Sequence, residues 1–246
     1  MKATKLRLPC RVRGCSQLQH SQHRYCTANN LRSNRVGTAN GKSLTPAQRR
    51  PFCSAALSVL RSRSLHARRR DTAVMGLLDA LRGLLHHRLE RQHQLNGWYA
   101  LHPKQRAYAL LHAITMSYGE NAALVVAANI VGVLICLKTE PGVMQDPTYA
   151  RFQVMRSLAH LLPPRKAICI TTERNGIFNT LKMKAYRPHP TGKLIVGYLH
   201  GLVVDQVKAF LGANPQIEKA VLEHLLKHPN PQRSVRLFKS IRKPKP

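Results

Sequence analysis

The chain has 246 residues, 43% of them apolar, and 40 Lys and Arg against 10 Asp and Glu give it a formal charge of +30. That apolar content excludes wholesale disorder, six cysteines are too dilute for a small disulfide scaffold, and nothing near Met1 reads as a secretory apolar segment. The charge points to nucleic acid as partner, although a single Trp leaves little for stacking on bases.

Half of the net charge lies in residues 1–74, which hold 16 Lys and Arg and one acid, Asp71. This segment is rich in Ser, Arg, Asn, Gln and His and is interrupted by Pro9, Pro46 and Pro51. Its composition predicts a mostly unstructured stretch, because too little apolar surface is available to offset the entropy of ordering. Three readings fit it. An Arg- and Ser-rich, acid-poor leader suits an organellar transit peptide, with Ser54 to Arg70 as a basic amphipathic helix and Arg50-Pro-Phe-Cys-Ser54 as a processing site. That reading puts the protein in the mitochondrial matrix of a eukaryote; otherwise it is cytoplasmic. Alternatively Met75 is the true start, or the segment is a basic arm that contacts phosphates.

Within it, Cys10, Cys15, His20, His23 and Cys26 fall in 17 positions, a density that zinc would use. The paired Cys-x2-Cys and His-x3-His of a finger are missing, however, and Asn29 stands where a Cys-x2-His would close the site. The grouping therefore reads as chance in a Cys- and His-rich segment, and no metal or cofactor is expected. Cys53, Cys136 and Cys169 are isolated, the last two within apolar runs, and read as small buried hydrophobes.

A folded part is expected from residue 75 to 231. Leu77, Leu78, Leu81, Leu84, Leu85 and Leu89 recur three and four apart, which predicts an amphipathic helix over Met75 to His93 with Arg82, Arg88 and Arg91 off the stripe. Trp98 and Tyr99 read as an apolar plug at a corner. His102-Pro103 opens a second helix with Tyr108, Leu111, His112 and Thr115 in period.

Residues 122–137 form the longest apolar run. As a helix they span about 24 Å against the roughly 30 Å of a bilayer core, which disfavours a membrane span. Asn129, Gly132 and the β-branched residues predict a buried helix to about Ala128 followed by a strand over Ile130 to Leu137, with helix throughout as the alternative. Asp146 and Pro147 then begin a helix whose face is Phe152, Met155, Leu158, Ala159 and Leu162.

Asn175-Gly176 between two alternating runs predicts a β-hairpin with Ile168 opposite Met183 and Arg174 opposite Ile177. Such alternation gives one face to a core and leaves the other, with Lys182 and Lys184, to solvent or to a nucleic-acid backbone. A helix from Lys193 to Leu211 follows, its Gly197 and Gly201 spaced for close helix approach, and then one begun by Asn214 and Pro215 and striped by Ile217, Ala220, Val221, Leu225 and Leu226. Residues 232–246 are a basic tail without an acid.

The phosphate-binding glycine loops, the nucleophile elbow and the H-E-x-x-H zinc motif are all missing. His224 with His228, and His86 with Glu90, are spaced to share a helix face, and Glu140, Asp146, Glu173 and Asp205 are the acids a magnesium-dependent nuclease would have available. The whole predicts an α+β class: a mostly helical single domain with one β-hairpin, winged-helix-like by analogy, preceded by a disordered basic segment. The expected function is non-catalytic binding of DNA or RNA, as a replication or regulatory factor or an organellar ribonucleoprotein component. Its phosphate contacts come from Arg174, Lys182, Lys184, Arg187, Arg236, Lys239, Arg242 and Lys243. A metal-dependent nuclease is the alternative, and a peripheral membrane protein using residues 122–137 is the third.

Overall fold

An 18-residue helix without a polar face has to be covered on every side, and that requirement organises this fold. The structure, a computed structural model, describes residues 8–19, 24–36, 38–39, 43–65, 71–85, 103–139, 147–161, 168–174, 177–183 and 197–228. In chain order the helices are α1 (Thr27–Val36), α2 (Pro46–Leu65), α3 (Thr72–Leu85), α4 (Pro103–Tyr118), α5 (Ala122–Thr139), α6 (Pro147–Ala159), α7 (Asp205–Ala213) and α8 (Pro215–Lys227). A 3-10 turn at Gly119–Asn121 joins α4 to α5, and a π-turn at His200–Val204 leads into α7.

Every residue of α5 from Ala122 to Cys136 is buried. The expected strand over Ile130 to Leu137 is thus the second half of this helix. An all-apolar run has no periodicity from which to tell helix from strand, and its β-branched content was outweighed by burial on all faces. Together with α4 it forms a stretch from Leu110 to Thr139 long and apolar enough to cross a membrane, but the helices around it bury 78% of its most apolar window. Those neighbours include α2, α3, α4, α6, α7 and α8.

The helix in most extensive contact with α5 is α2. Ala55, Ala56, Leu57, Val59 and Leu60 lie buried in the same core as α3 and α5, so the expectation that most of residues 1–74 is unstructured does not hold for Pro46–Leu65. The two backbones come together at Gly132. A Cβ placed there would lie 2.4 Å from Cys53 Cα and N and 2.7 Å from the Phe52 carbonyl carbon. Only glycine fits such a contact. Pro51, which cannot donate to the helix ladder, sits two residues before Cys53. The Cys53 thiol donates to Asn129 O (3.6 Å) and the Cys136 thiol to Gln48 O (3.8 Å), stitching the same interface.

The first leucine stripe forms a helix as expected, but α3 starts at Thr72 rather than Met75, with Val74 fully buried. Its start is fixed from outside. Asp71 Oδ1 accepts the Ala73 and Val74 N–H groups, and Asp71 Oδ2 accepts from Arg63 Nη1 at 3.0 Å, tying the end of α2 to the start of α3. Elsewhere around α5, Lys138 Nζ meets Glu218 Oε2 of α8 at 2.6 Å, and Tyr118 donates its hydroxyl to the Leu161 carbonyl at 3.0 Å.

Two expected details of the last helices differ. Among the described residues nothing packs closely on Gly197 or Gly201, so neither acts as a packing glycine there. Asn214 stands at the N-cap position of α8 but makes no side-chain capping bond: its Oδ1 accepts from the Gln216 side-chain amide (3.2 Å), and its Nδ2 donates back to the Phe210 carbonyl of α7 at 2.9 Å. The stripe of α8 is buried at Ile217 and Val221, whereas Leu226 is 82% exposed.

The α+β class is overturned. Ile168–Arg174 and Ile177–Met183 pair antiparallel along the backbone, with Ile168 opposite Met183 and Arg174 opposite Ile177, but outside this two-stranded ribbon the described body is 82% helical. Among the described residues the core is made of helices, with Leu44 and Leu161 from the adjoining segments, and of no strand. A winged-helix plan, with strands forming part of the body, therefore does not describe this fold.

Candidate functional site

The N-terminal residues that lead into α1 are held by cysteine rather than by aliphatic packing. Cys10 N–H donates to Gln17 O (2.9 Å), Cys15 N–H to Val12 O (3.0 Å) and Gln19 N–H to Leu8 O (2.8 Å), and an antiparallel bridge pairs Pro9 with Leu18. This closes a tight loop. Gly14, immediately before Cys15, has φ of +78°, a conformation that other residues adopt only with strain. The chain then returns, Arg11 N–H donating to Arg24 O at 3.2 Å, so that Cys26 reaches the loop from the start of α1.

The three sulfurs meet. One Sγ atom from each of Cys10, Cys15 and Cys26 lies within 4.8 Å of the others, and Cys15 and Cys26 are 3.9 Å apart. Cys10 and Cys26 are buried and Cys15 half-buried. Cys10 Sγ accepts hydrogen bonds from Cys26 N–H (3.3 Å) and from Asn29 Nδ2 (3.4 Å), and Asn29 is itself buried. Burial pushes the Cys10 thiol up, but the hydrogen bonds from Asn29, Cys26, Val12 and Cys15 outweigh it and bring it down to about 6. The Cys15 thiol is held down by the Gln17 backbone, yet burial and the sulfurs of Cys10 and Cys26 leave it raised overall.

The contrast with Cys53 is one of environment. There burial, only partly offset by Arg49 and Ser157, pushes the thiol up to about 12. Cys53 and Cys136 are buried core residues, as their sequence settings lead one to expect.

The charged residues of the loop and of α1 are all of one sign. Arg11, Arg13, Arg24 and Arg32 are exposed, and the sequence has no acid before Asp71. A surface of this kind attracts phosphates through charge-assisted hydrogen bonds and has no carboxylate to compete for them. A different arginine, Arg49 in the first turn of α2, is buried. Its guanidinium donates to Ser157 Oγ of α6, and desolvation lowers its pKa, helped by Arg50 and Arg156 and opposed by Cys53 and Cys136.

Of the residues expected from sequence to contact phosphates, Arg174 and Lys182 lie in the paired strands, opposite Ile177 and Cys169. Lys184, Arg187, Arg236, Lys239, Arg242 and Lys243 lie outside the described residues, as do His20, His23, His86, Glu90, Glu140 and Asp146. Asp205 is exposed at the start of α7. The ring centroids of His224, in α8, and His228, just past its end, are 4.7 Å apart. Among the described residues, the cysteine trio is the one group of three or more metal-capable side chains.

No family model, curated protein or solved structure matches the chain.

Proposed function

We propose that the protein binds nucleic acid, DNA or RNA, through phosphate contacts and without catalysing a reaction on it. The observation that carries this reading is the exposure of Arg11, Arg13, Arg24 and Arg32 on an N-terminal unit with no acid, in a chain of net charge +30. Arginine suits the task because its planar guanidinium offers paired donors to phosphate oxygens. Further phosphate contacts are proposed from the basic residues Arg174, Lys182, Lys184, Arg187, Arg236, Lys239, Arg242 and Lys243.

The test is a salt titration of binding to a short duplex and to a single strand. About six neutralised phosphates predict a fall of roughly 10³-fold in affinity between 50 and 200 mM salt. Replacing Arg11, Arg13 and Arg24 together by Ala should make the slope shallower by about one for each phosphate that is no longer neutralised. Binding insensitive to salt, or no binding to either strand form, overturns the proposal. Cleavage of the probe in the presence of magnesium would instead support the nuclease alternative.

A further inference from the structure

The loop of residues 8–19 and the start of α1 bury little except Cys10, Cys26 and Asn29, while Leu8 and Leu18 are exposed. A unit of that size has too little apolar surface to hold itself in shape, and small units of this kind are ordinarily stapled by a disulfide or a metal. Its three cysteines are an odd number, and all three are free thiols.

We propose that Cys10, Cys15 and Cys26 together bind one zinc ion, with Asn29 beside the fourth position. Zinc with ligand bonds of about 2.3 Å to tetrahedral thiolates sets sulfurs roughly 3.8 Å apart. The Cys15 and Cys26 sulfurs are already 3.9 Å apart, and no pair in the trio exceeds 4.8 Å. Closing the coordination sphere needs shifts of about an ångström or less in side-chain positions.

The surroundings are those of a thiolate ligand. The backbone N–H of Cys26 and the Asn29 amide both donate to Cys10 Sγ, the type of outer hydrogen bond that orients a ligating sulfur and stabilises its charge. Three thiolates this close repel one another, which keeps them from all ionising on their own; a divalent cation among them removes that repulsion and displaces the protons to solvent. Soft sulfur ligands select zinc over magnesium or calcium. Asn29 lies three residues after Cys26, one turn along the same face at the start of α1. An amide is a poor zinc ligand, so the fourth corner is left to water or to an exchangeable group.

This inference is independent of nucleic-acid binding. The full chain, produced in zinc-supplemented medium and purified under reducing conditions, should retain about one zinc per molecule by elemental mass spectrometry. Cys10→Ser, Cys15→Ser and Cys26→Ser should each abolish that retention, whereas Cys53→Ser should not. Cobalt substituted for zinc should give a sulfur-to-metal charge-transfer band that weakens with each of the three substitutions. Asn29→His, which supplies an imidazole at the fourth corner, should bind zinc more tightly than the wild-type chain.

Should the serine variants fail to fold, the wild-type chain alone decides. Adding zinc to the chelator-stripped protein should protect Cys10, Cys15 and Cys26 from alkylation and leave Cys53 unlabelled throughout. Zinc that is not retained, zinc retained by all three serine variants, no zinc-dependent protection, or a Cys15–Cys26 disulfide that persists under reducing conditions overturns the inference.

Discussion

A single hydrogen atom at Gly132 sets the distance between the two central helices. Replacing it by methyl gains up to about 1 kcal/mol in helix propensity. Against that, the added Cβ would sit 2.4 Å from backbone atoms of Cys53, and backbone cannot swing aside as a side chain can. Overpacking of this kind costs about 1–3 kcal/mol, and here the upper end applies because the obstacle is main chain. Gly132→Ala is therefore expected to destabilise by roughly 2 kcal/mol net and to lower the melting temperature by about 4–8 °C. Thermal unfolding followed by circular dichroism measures it, and an unchanged melting temperature would mean that α2 does not pack where the structure has it. Gly197→Ala, with nothing described within 4 Å of the added carbon, is the control and should leave the melting temperature unchanged or slightly raised.

The cysteines make the same point about position and environment. Cys10 and Cys53 are both buried, yet one thiol is brought down to about 6 and the other pushed up to about 12. Cys53 lies deep in the core, where desolvation dominates, whereas Cys10 lies in a small loop where hydrogen bonds from Asn29, Cys26, Val12 and Cys15 outweigh it. Sequence spacing draws attention to the cluster that contains Cys10 but does not show that its loop turns at Gly14 and brings the sulfurs together. The departure at Asn29 makes the cluster read as chance, because a motif counts ligand types, whereas the fold shows that Asn29 still serves the cluster as a hydrogen-bond donor.

At the scale of elements, α2 matters most and was the least legible. Leu57 and Leu60 lie fully buried in the core they share with α5, but their helix also holds Arg49, Arg50, Arg61 and Arg63 together with four serines and two prolines, and the average reads as a leader. Burial depends on one face, not on mean composition. The leucine stripe of α3, by contrast, is clean enough to read directly, and its buried residues Leu77, Leu78, Leu81 and Leu85 fall on it. The run in α5 misleads for the opposite reason, having too much apolar character to show any face at all.

The consequence is testable by truncation. A chain begun at Met75 lacks α2 and leaves one side of α5 uncovered, and a cut at Cys53 divides α2 within its length. Burying Leu57 and Leu60 alone contributes about 3–6 kcal/mol, comparable with the whole stability of many domains. The 75–246 chain is expected to be insoluble or to lack a cooperative thermal transition, while the chain from Ser43 onward should melt cooperatively. A 75–246 chain as stable as the full one would restore Met75 as a domain boundary.

For the molecule as a whole, charge and core are sorted along the chain. All ten acids lie between Asp71 and Glu223, within the stretch that holds most of the helical body, so the residues before and after it carry basic charge without compensation. On the proposed reading a polyanion meets the uncompensated ends of the chain rather than its apolar centre. The two ends can be separated by experiment, because the described helices stop at Lys227 and residues 229–246 hold six basic residues, Arg233, Arg236, Lys239, Arg242, Lys243 and Lys245. Removing 229–246 should leave the melting temperature unchanged. If every one of those residues meets a phosphate, the salt slope of nucleic-acid binding falls by about 5, and engagement of half of them gives about 3. A slope that does not change would assign the electrostatic attraction to the N-terminal arginines and the hairpin, and a melting temperature that falls would show that the tail belongs to the fold.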